Sequence, residues 1–283
     1  MTDLFANVNN IKICYDIHGE GEPVILIHGF SDRKEHWRAQ VGVLSKNFKV
    51  IRMDNRGAGK SERPDGEYTM ETYASDVAGL MDYLDIESSH IIGHSLGGMI
   101  AQNFAILYPN RVKRLILINT IPGLKLPGEN IDEAIKMYRE NAINSHKAIL
   151  NDPLNEFLKG AKPSYSRQFW KTMKEDPTKK FYDIWSVKDL VKEKTEYGPT
   201  IKDLSNQAHA LSTHNTYERL HEIKSEVLIL SAQKDKSCPV SMGEKMHELI
   251  PNSKFIVIEG AAHQSVLEKA PEVNQVIIDF LKS

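Results

Sequence analysis

Short unbroken apolar runs recur along this chain, and between them the apolar residues change to the period of a helix. The runs are Val24-Ile25-Leu26-Ile27, Val50-Ile51 before Arg52-Met53, Ile91-Ile92, Leu115-Ile116-Leu117-Ile118, Val227-Leu228-Ile229-Leu230 and Phe255-Ile256-Val257-Ile258. Runs without polar alternation suit strands covered on both faces, which is the situation in a parallel sheet. Residues 11–17 alternate loosely and read as an edge strand. Stretches at about 70–84, 96–108, 241–249 and 271–281 read as helices. The first puts Ala74, Val77, Leu80, Met81 and Leu84 on one side, and the last spaces Val273, Val276, Ile277 and Phe280 as a helix does. Strands alternating with helices imply βαβ units, and so an α/β protein with a mostly parallel, doubly wound sheet flanked by helices.

The rhythm breaks over residues 121–222, which are rich in proline and aromatic residues and hold no run of the core type. This stretch reads as a helical cap or lid inserted over the sheet, with Gly160 and Gly198 near helix breaks. The core then comprises residues 1–120 and 223–283, and 283 residues suit one domain carrying one insertion. Apolar residues of the insertion are expected to wall a mostly apolar pocket. Met137, Phe157, Trp170 and Trp185 are the substrate-contacting candidates there.

A formal net charge of −2 points neither to nucleic acid nor to an anionic membrane. Cys14 and Cys238 are too few for a disulfide framework and read as thiols of a reducing compartment. The N-terminus lacks a basic segment followed by an apolar one, and no apolar run is long enough to cross a bilayer, so a cytoplasmic protein is expected. Gly57-Ala58-Gly59-Lys60-Ser61 imitates the end of a P-loop, but the first glycine of that pattern is replaced by Asp54. No His-Glu-x-x-His run or paired-cysteine spacing is present, and no metal site is expected.

The sharpest motif is Gly93-His94-Ser95-Leu96-Gly97-Gly98, placed after the strand ending at Ile92 and opening the next helix. Gly-x-Ser-x-Gly in a strand–turn–helix setting is a nucleophile elbow. The turn is tight, and side chains at Gly93 and Gly97 would collide with neighbouring backbone. A serine hydroxyl needs a base for its proton, and the base needs an orienting carboxylate. Asp235 follows the run 227–230 and His263 follows the run 255–258, where sites on parallel sheets are built. After the run 115–118 stand Asn119 and Thr120, so no carboxylate competes there. Acyl transfer also needs donors for the oxyanion. The N–H groups of Leu96 and Phe30 are the candidates, and the Phe30 ring is a candidate pocket wall. His28 reads as a structural residue of the same loop.

Together these pieces resemble the α/β-hydrolase superfamily along almost the whole chain. The matching residues are His28-Gly29-Phe30, Asp54-Asn55-Arg56-Gly57-Ala58-Gly59-Lys60-Ser61, Gly93-His94-Ser95-Leu96-Gly97-Gly98, Asp235 with Pro239, and Gly260 with His263. The resemblance implies an eight-stranded sheet with a helical cap between strands six and seven. Phe30-Ser31-Asp32-Arg33 departs from the Gly-x-Pro-Gly usual in carbon–carbon bond hydrolases, and the His-Gly-Gly-Pro-Gly of proline iminopeptidases is absent. What remains is similar to small-ester hydrolases, enol-lactonases and cofactor-free haloperoxidases or perhydrolases. The expectation is a serine hydrolase of a small carboxylic ester or lactone, acting as monomer or homodimer without a cofactor. Ser95, Asp235 and His263 form its expected triad. The same triad would serve an acyltransferase, a perhydrolase or a ligand receptor with residual hydrolysis.

Overall fold

The computed structural model describes residues 2–124 and 132–283. Eight strands form one sheet: β1 (Leu4–Val8), β2 (Ile11–His18), β3 (Pro23–Ile27), β4 (Lys49–Met53), β5 (Ser89–His94), β6 (Val112–Ile118), β7 (Glu226–Ala232) and β8 (Ser253–Ile258). Their spatial order is β1-β2-β4-β3-β5-β6-β7-β8. Strands β3 to β8 run parallel, while β2 is antiparallel to both β1 and β4. The apolar runs of β3 to β7 are buried on both faces because helices cover both. Along β3, Ile25 and Ile27 join one core while Val24 and Leu26 join the other.

Helices α1 (Arg38–Leu44), α2 (Met70–Tyr83) and α3 (Leu96–Leu107) precede β6. The insertion between β6 and β7 contains α4 (Asp132–Asn151), α5 (Pro153–Ala161), α6 (Arg167–Glu175), α7 (Val187–Glu196) and α8 (Ile201–Thr213). Helices α9 (Val240–Leu249), α10 (Ser265–Glu268) and α11 (Ala270–Lys282) complete the chain. Helices α2, α3 and α9 supply the first core, and α1, α10 and α11 supply the second. Gly123 and Asn215 pair at the foot of the insertion. Residues 125–131 of the expected 121–222 segment lie outside the described residues. Among the described residues no helix is long and apolar enough to cross a membrane.

Two strand readings need correction. Residues 11–17 are not an edge: β1 covers β2 through the two-residue turn Asn9-Asn10, both left-handed at φ 49° and 63°. A two-residue turn with both residues at positive φ matches the twist of a hairpin, and asparagine tolerates that conformation. The other edge is β8, where Ile256 is 38% exposed despite the apolar run.

Buried histidines give the fold a pH dependence, His214 and His28 among them. His214 accepts from Asn103 Nδ2 (3.2 Å) and contacts Ile121 O at 3.2 Å through Nε2. His28 bridges two loops beneath the site. Burial pushes both imidazoles down to about 4, against about 6.5 in an unfolded chain. Between those pH values the unfolded chain binds more protons, so acidification favours unfolding. Each histidine should cost on the order of 2 kcal/mol at pH 5 relative to pH 7. Urea midpoints across pH 4–7 should fall steadily below about pH 6.5, and less so in His214→Gln. A flat profile would contradict the neutral, buried assignment.

Candidate active site

The chain reverses sharply between β5 and α3, and Ser95 sits at the reversal with φ 55° and ψ −121°. Few residues with a side chain adopt such a backbone. The flanking glycines allow it: a Cβ on Gly93 would lie 2.2 Å from Gly97 O, and one on Gly97 would lie 2.0 Å from Ile27 O. The expected crowding is therefore present at both positions. Leu96 is the first residue of α3, where helix geometry leaves the N–H without an intrahelical partner. The loop after β3 passes close by, since a Cβ on Gly29 would lie 3.3 Å from Ser95 Cβ. Phe30 is the next residue in that loop.

His263 follows β8 and Asp235 follows β7, and the sheet brings both to Ser95. His263 Nε2 lies 3.0 Å from Ser95 Oγ, and His263 Nδ1 lies 2.7 Å from Asp235 Oδ2. Asp235 Oδ1 accepts the N–H groups of Ser237 (2.8 Å) and Cys238 (3.0 Å), which turns the other oxygen toward the imidazole. A carboxylate opposite Nδ1 fixes the proton there and leaves Nε2 as acceptor for the serine hydroxyl. The His263 backbone is held as well. Its carbonyl accepts from Asn119 Nδ2 (2.7 Å) and meets His94 Nε2 at 2.9 Å. Burial, then the neighbouring His36 and His263, keeps the His94 imidazole well below its ordinary range, and so uncharged.

The supporting loops interlock. His28 Nδ1 meets Gly29 O at 2.9 Å, and His28 Nε2 accepts the Asn55 N–H at 3.0 Å. Asp54 accepts the N–H groups of Lys34 (2.7 Å) and Lys60 (2.9 Å), which shapes the loop that only imitates a P-loop. Among the described residues, Asp235, Cys238 and His263 offer ligand atoms within 4.8 Å of one another. The Asp235 and His263 atoms already share a proton, and burial pushes the Cys238 thiol well above its usual range.

The family model described as alpha/beta hydrolase fold matches residues 22–270. The chain belongs to the alpha/beta hydrolase family. A curated relative, the 2-hydroxy-6-oxononadienedioate/2-hydroxy-6-oxononatrienedioate hydrolase of Comamonas testosteroni, is 29% identical over 99% of this chain and 96% of its own. A putative non-heme chloroperoxidase of Synechocystis is 27% identical over 98% of this chain and 97% of its own. Among solved structures, a thermophilic esterase from Thermogutta terrifontis superposes with a TM-score of 0.78 at 25% identity, covering 100% and 98% of the two chains. The enol-lactonase from Burkholderia xenovorans LB400 superposes with a TM-score of 0.81 at 24% identity, over 99% of this chain and 100% of that one, a likeness of fold.

In this alpha/beta hydrolase a cavity of about 510 Å³ lies between the loop after β3 and the inserted helices. It adjoins the Ser95–His263 pair through Phe30 and Gln264, the neighbours of Gly29 and His263. Phe30 and Phe157 line it, but the other substrate-contacting candidates do not. Met137 is 60% exposed, one position out of phase with the helix face Tyr138, Ala142, Ser145 and Ile149 that does line the cavity. Trp185 is fully buried among Tyr165, Phe169 and Phe181, with the Phe181 ring 4.7 Å away, so it fills the core of the insertion. Trp170 ties its Nε1–H to Leu158 O (2.7 Å) and presents its ring to Lys162 and Lys174. The wall is also more charged than the sequence suggested, because the loop after β3 meets α7 there. Lys194 pairs with Asp32 at 2.9 Å, and Arg38 pairs with Glu193. Burial alone would raise the Asp32 carboxyl, but Lys194 and His36 outweigh it and hold it well below the usual carboxylate range.

Proposed function

We propose that the protein is a serine hydrolase cleaving a small carboxylic ester or lactone through an acyl-enzyme on Ser95. The observation that carries this reading is the continuous line from Ser95 Oγ through His263 to Asp235, at 3.0 Å and 2.7 Å, on the turn that opens α3. His263 Nε2 takes the hydroxyl proton as Ser95 Oγ bonds to the acyl carbon. The Leu96 and Phe30 N–H groups receive the carbonyl oxygen as it becomes an oxyanion. The oxyanion collapses and the alcohol leaves with the proton held by His263; in a lactone the ring opens instead. Water then gives a proton to His263 and attacks the ester on Ser95, the acid leaves, and Ser95 regains its proton. Asp235 keeps the imidazole in its tautomer and stabilises the imidazolium. Protein, substrate and water account for every proton, so the scheme uses no cofactor. In this reading the segment 121–222 is a cap that closes the acyl or alcohol pocket.

The test is turnover of p-nitrophenyl esters from acetate to decanoate, beside five- and six-membered lactones. Rates up to about 10 s⁻¹ on the preferred members are expected. Tyr138 lines the cavity with its ring 5.3 Å from that of Phe30. Tyr138→Ala should therefore shift the preference toward longer acyl chains, while Met137→Ala should leave it in place. Folded protein that leaves every ester and lactone untouched would contradict the reading. Product that forms only with an added alcohol or peroxide would do so too, and would favour transfer to that acceptor.

A further inference from the structure

The turn Gly29–Asp32, which presents the Phe30 N–H, is anchored at its ends, where His28 Nδ1 meets Gly29 O at 2.9 Å and His36 Nδ1 meets Asp32 Oδ2 at 3.2 Å, but its own backbone closes it weakly. Its closing bond, Asp32 N–H to Gly29 O, is 3.4 Å long, at the weak limit for a backbone hydrogen bond. Its third residue, Ser31, is left-handed at φ 59°, where residues with a Cβ are uncommon. Both backbone groups of Ser31 are instead taken by side chains of the inserted helices. The Ser31 N–H donates to Gln207 Oε1 of α8 at 2.8 Å. Lys194 Nζ of α7 donates to Ser31 O, and the same ammonium lies 2.9 Å from Asp32 Oδ1. Gln207 is buried, and its Nε2 faces Gly57 O at 3.4 Å, which fixes the direction of its amide. Two helices far away in sequence thus hold the residue that follows the oxyanion donor.

We propose that Gln207 and Lys194 are positioning residues for the oxyanion site, so that the insertion aims the Phe30 N–H by fixing the backbone of Ser31. The inference rests on the serine-hydrolase reading above. An oxyanion donor works because it is aimed before charge develops, and one that must reorganise first loses much of its effect. A turn released from both helices still carries its N–H but no longer presents it in one direction. The loss should be smaller than the ~10²–10³-fold seen when a donor is removed outright. Lys194 and Ser31 also wall the cavity, so a role in holding substrate is the competing account. The two differ in where the loss falls, in the ground state or in the tetrahedral adduct.

The experiment compares wild type, Gln207→Leu, Lys194→Met and Ser95→Ala on one p-nitrophenyl ester. It also measures inhibition by a trifluoromethyl ketone of matched chain length. That ketone accepts Ser95 Oγ at its carbonyl carbon while His263 takes the proton, leaving an alkoxide in the oxyanion site. Gln207→Leu and Lys194→Met should each lower kcat about 10- to 100-fold. KM should stay within about twofold, and the ketone Ki should rise by the same factor as kcat falls. Lys194 is partly exposed, so its variant tests the idea even where Gln207→Leu fails to fold. Unchanged kcat and Ki in folded variants, or a rise in KM alone, overturns the positioning role while Ser95→Ala remains inactive. Activity surviving in Ser95→Ala would instead overturn the reading on which the inference rests.

Discussion

Ser95→Ala should lower ester turnover by at least about 10³-fold while leaving the fold intact. The turn at Ser95 is held by backbone bonds that an alanine keeps: Ser95 N–H to Ile118 O at 3.0 Å, and Ser95 O receiving the Gly98 N–H at 2.9 Å. Thr120 Oγ1 also donates to Ser95 O at 2.8 Å. Among the described residues, the contact that is lost is that of Oγ with His263. What survives is binding and the oxyanion donors, which by themselves retain a fraction of catalysis when a triad is broken. Urea midpoints should stay close to wild type, and residual turnover should no longer give a burst of nitrophenol. A variant turning over at more than a tenth of the wild-type rate would remove Ser95 from the chemistry.

Asp235→Asn should cost about 10³- to 10⁴-fold in kcat, for a reason of hydrogen-bond geometry rather than of lost charge alone. Asp235 Oδ1 accepts two backbone N–H groups, from Ser237 and Cys238. An amide must keep its carbonyl oxygen on those donors and so turns its NH₂ toward His263 Nδ1. Nδ1 then has to accept, the ring proton moves to Nε2, and Ser95 loses its base. The distinguishing measurement is kcat against pH together with the rate of labelling by a phosphonate ester. Both should fall together in the variant, with KM little changed. A loss confined to KM would show that Asp235 serves substrate binding instead.

The candidate site was legible in the sequence wherever a covalent or steric rule acts locally. The apolar runs mark β3 to β7 because burial on both faces leaves no polar alternation. The elbow is legible because Gly93 and Gly97 are sites where a Cβ meets backbone. Asp235 and His263 could be singled out because each stands just past a strand, and parallel strands end on one side of a sheet. What the sequence concealed depends on neighbours from elsewhere in the chain. Position 11–17 alternates as an edge strand does, and its cover, β1, is a short hairpin arm burying only Ala6 and Val8. Aromatic character alone could not tell Trp185, packed into the insertion, from Tyr138, turned into the cavity. The helical spacing 138, 142, 145, 149 was present and would have placed Met137 on the outer face. The charged pairs Lys194–Asp32 and Arg38–Glu193 join segments about 160 residues apart, and nothing local announces them.

The central claim is that Ser95 forms the covalent intermediate, and labelling with a p-nitrophenyl alkylphosphonate tests it most directly. Ser95 Oγ would bond to phosphorus, its proton passing to His263, and p-nitrophenolate would leave. The expected result is one equivalent of p-nitrophenol released per active chain, one phosphonyl group added to the intact mass and mapped to Ser95, and complete loss of esterase activity. Full activity after prolonged treatment, or a label carried by another residue while Ser95 stays unmodified, would contradict the account.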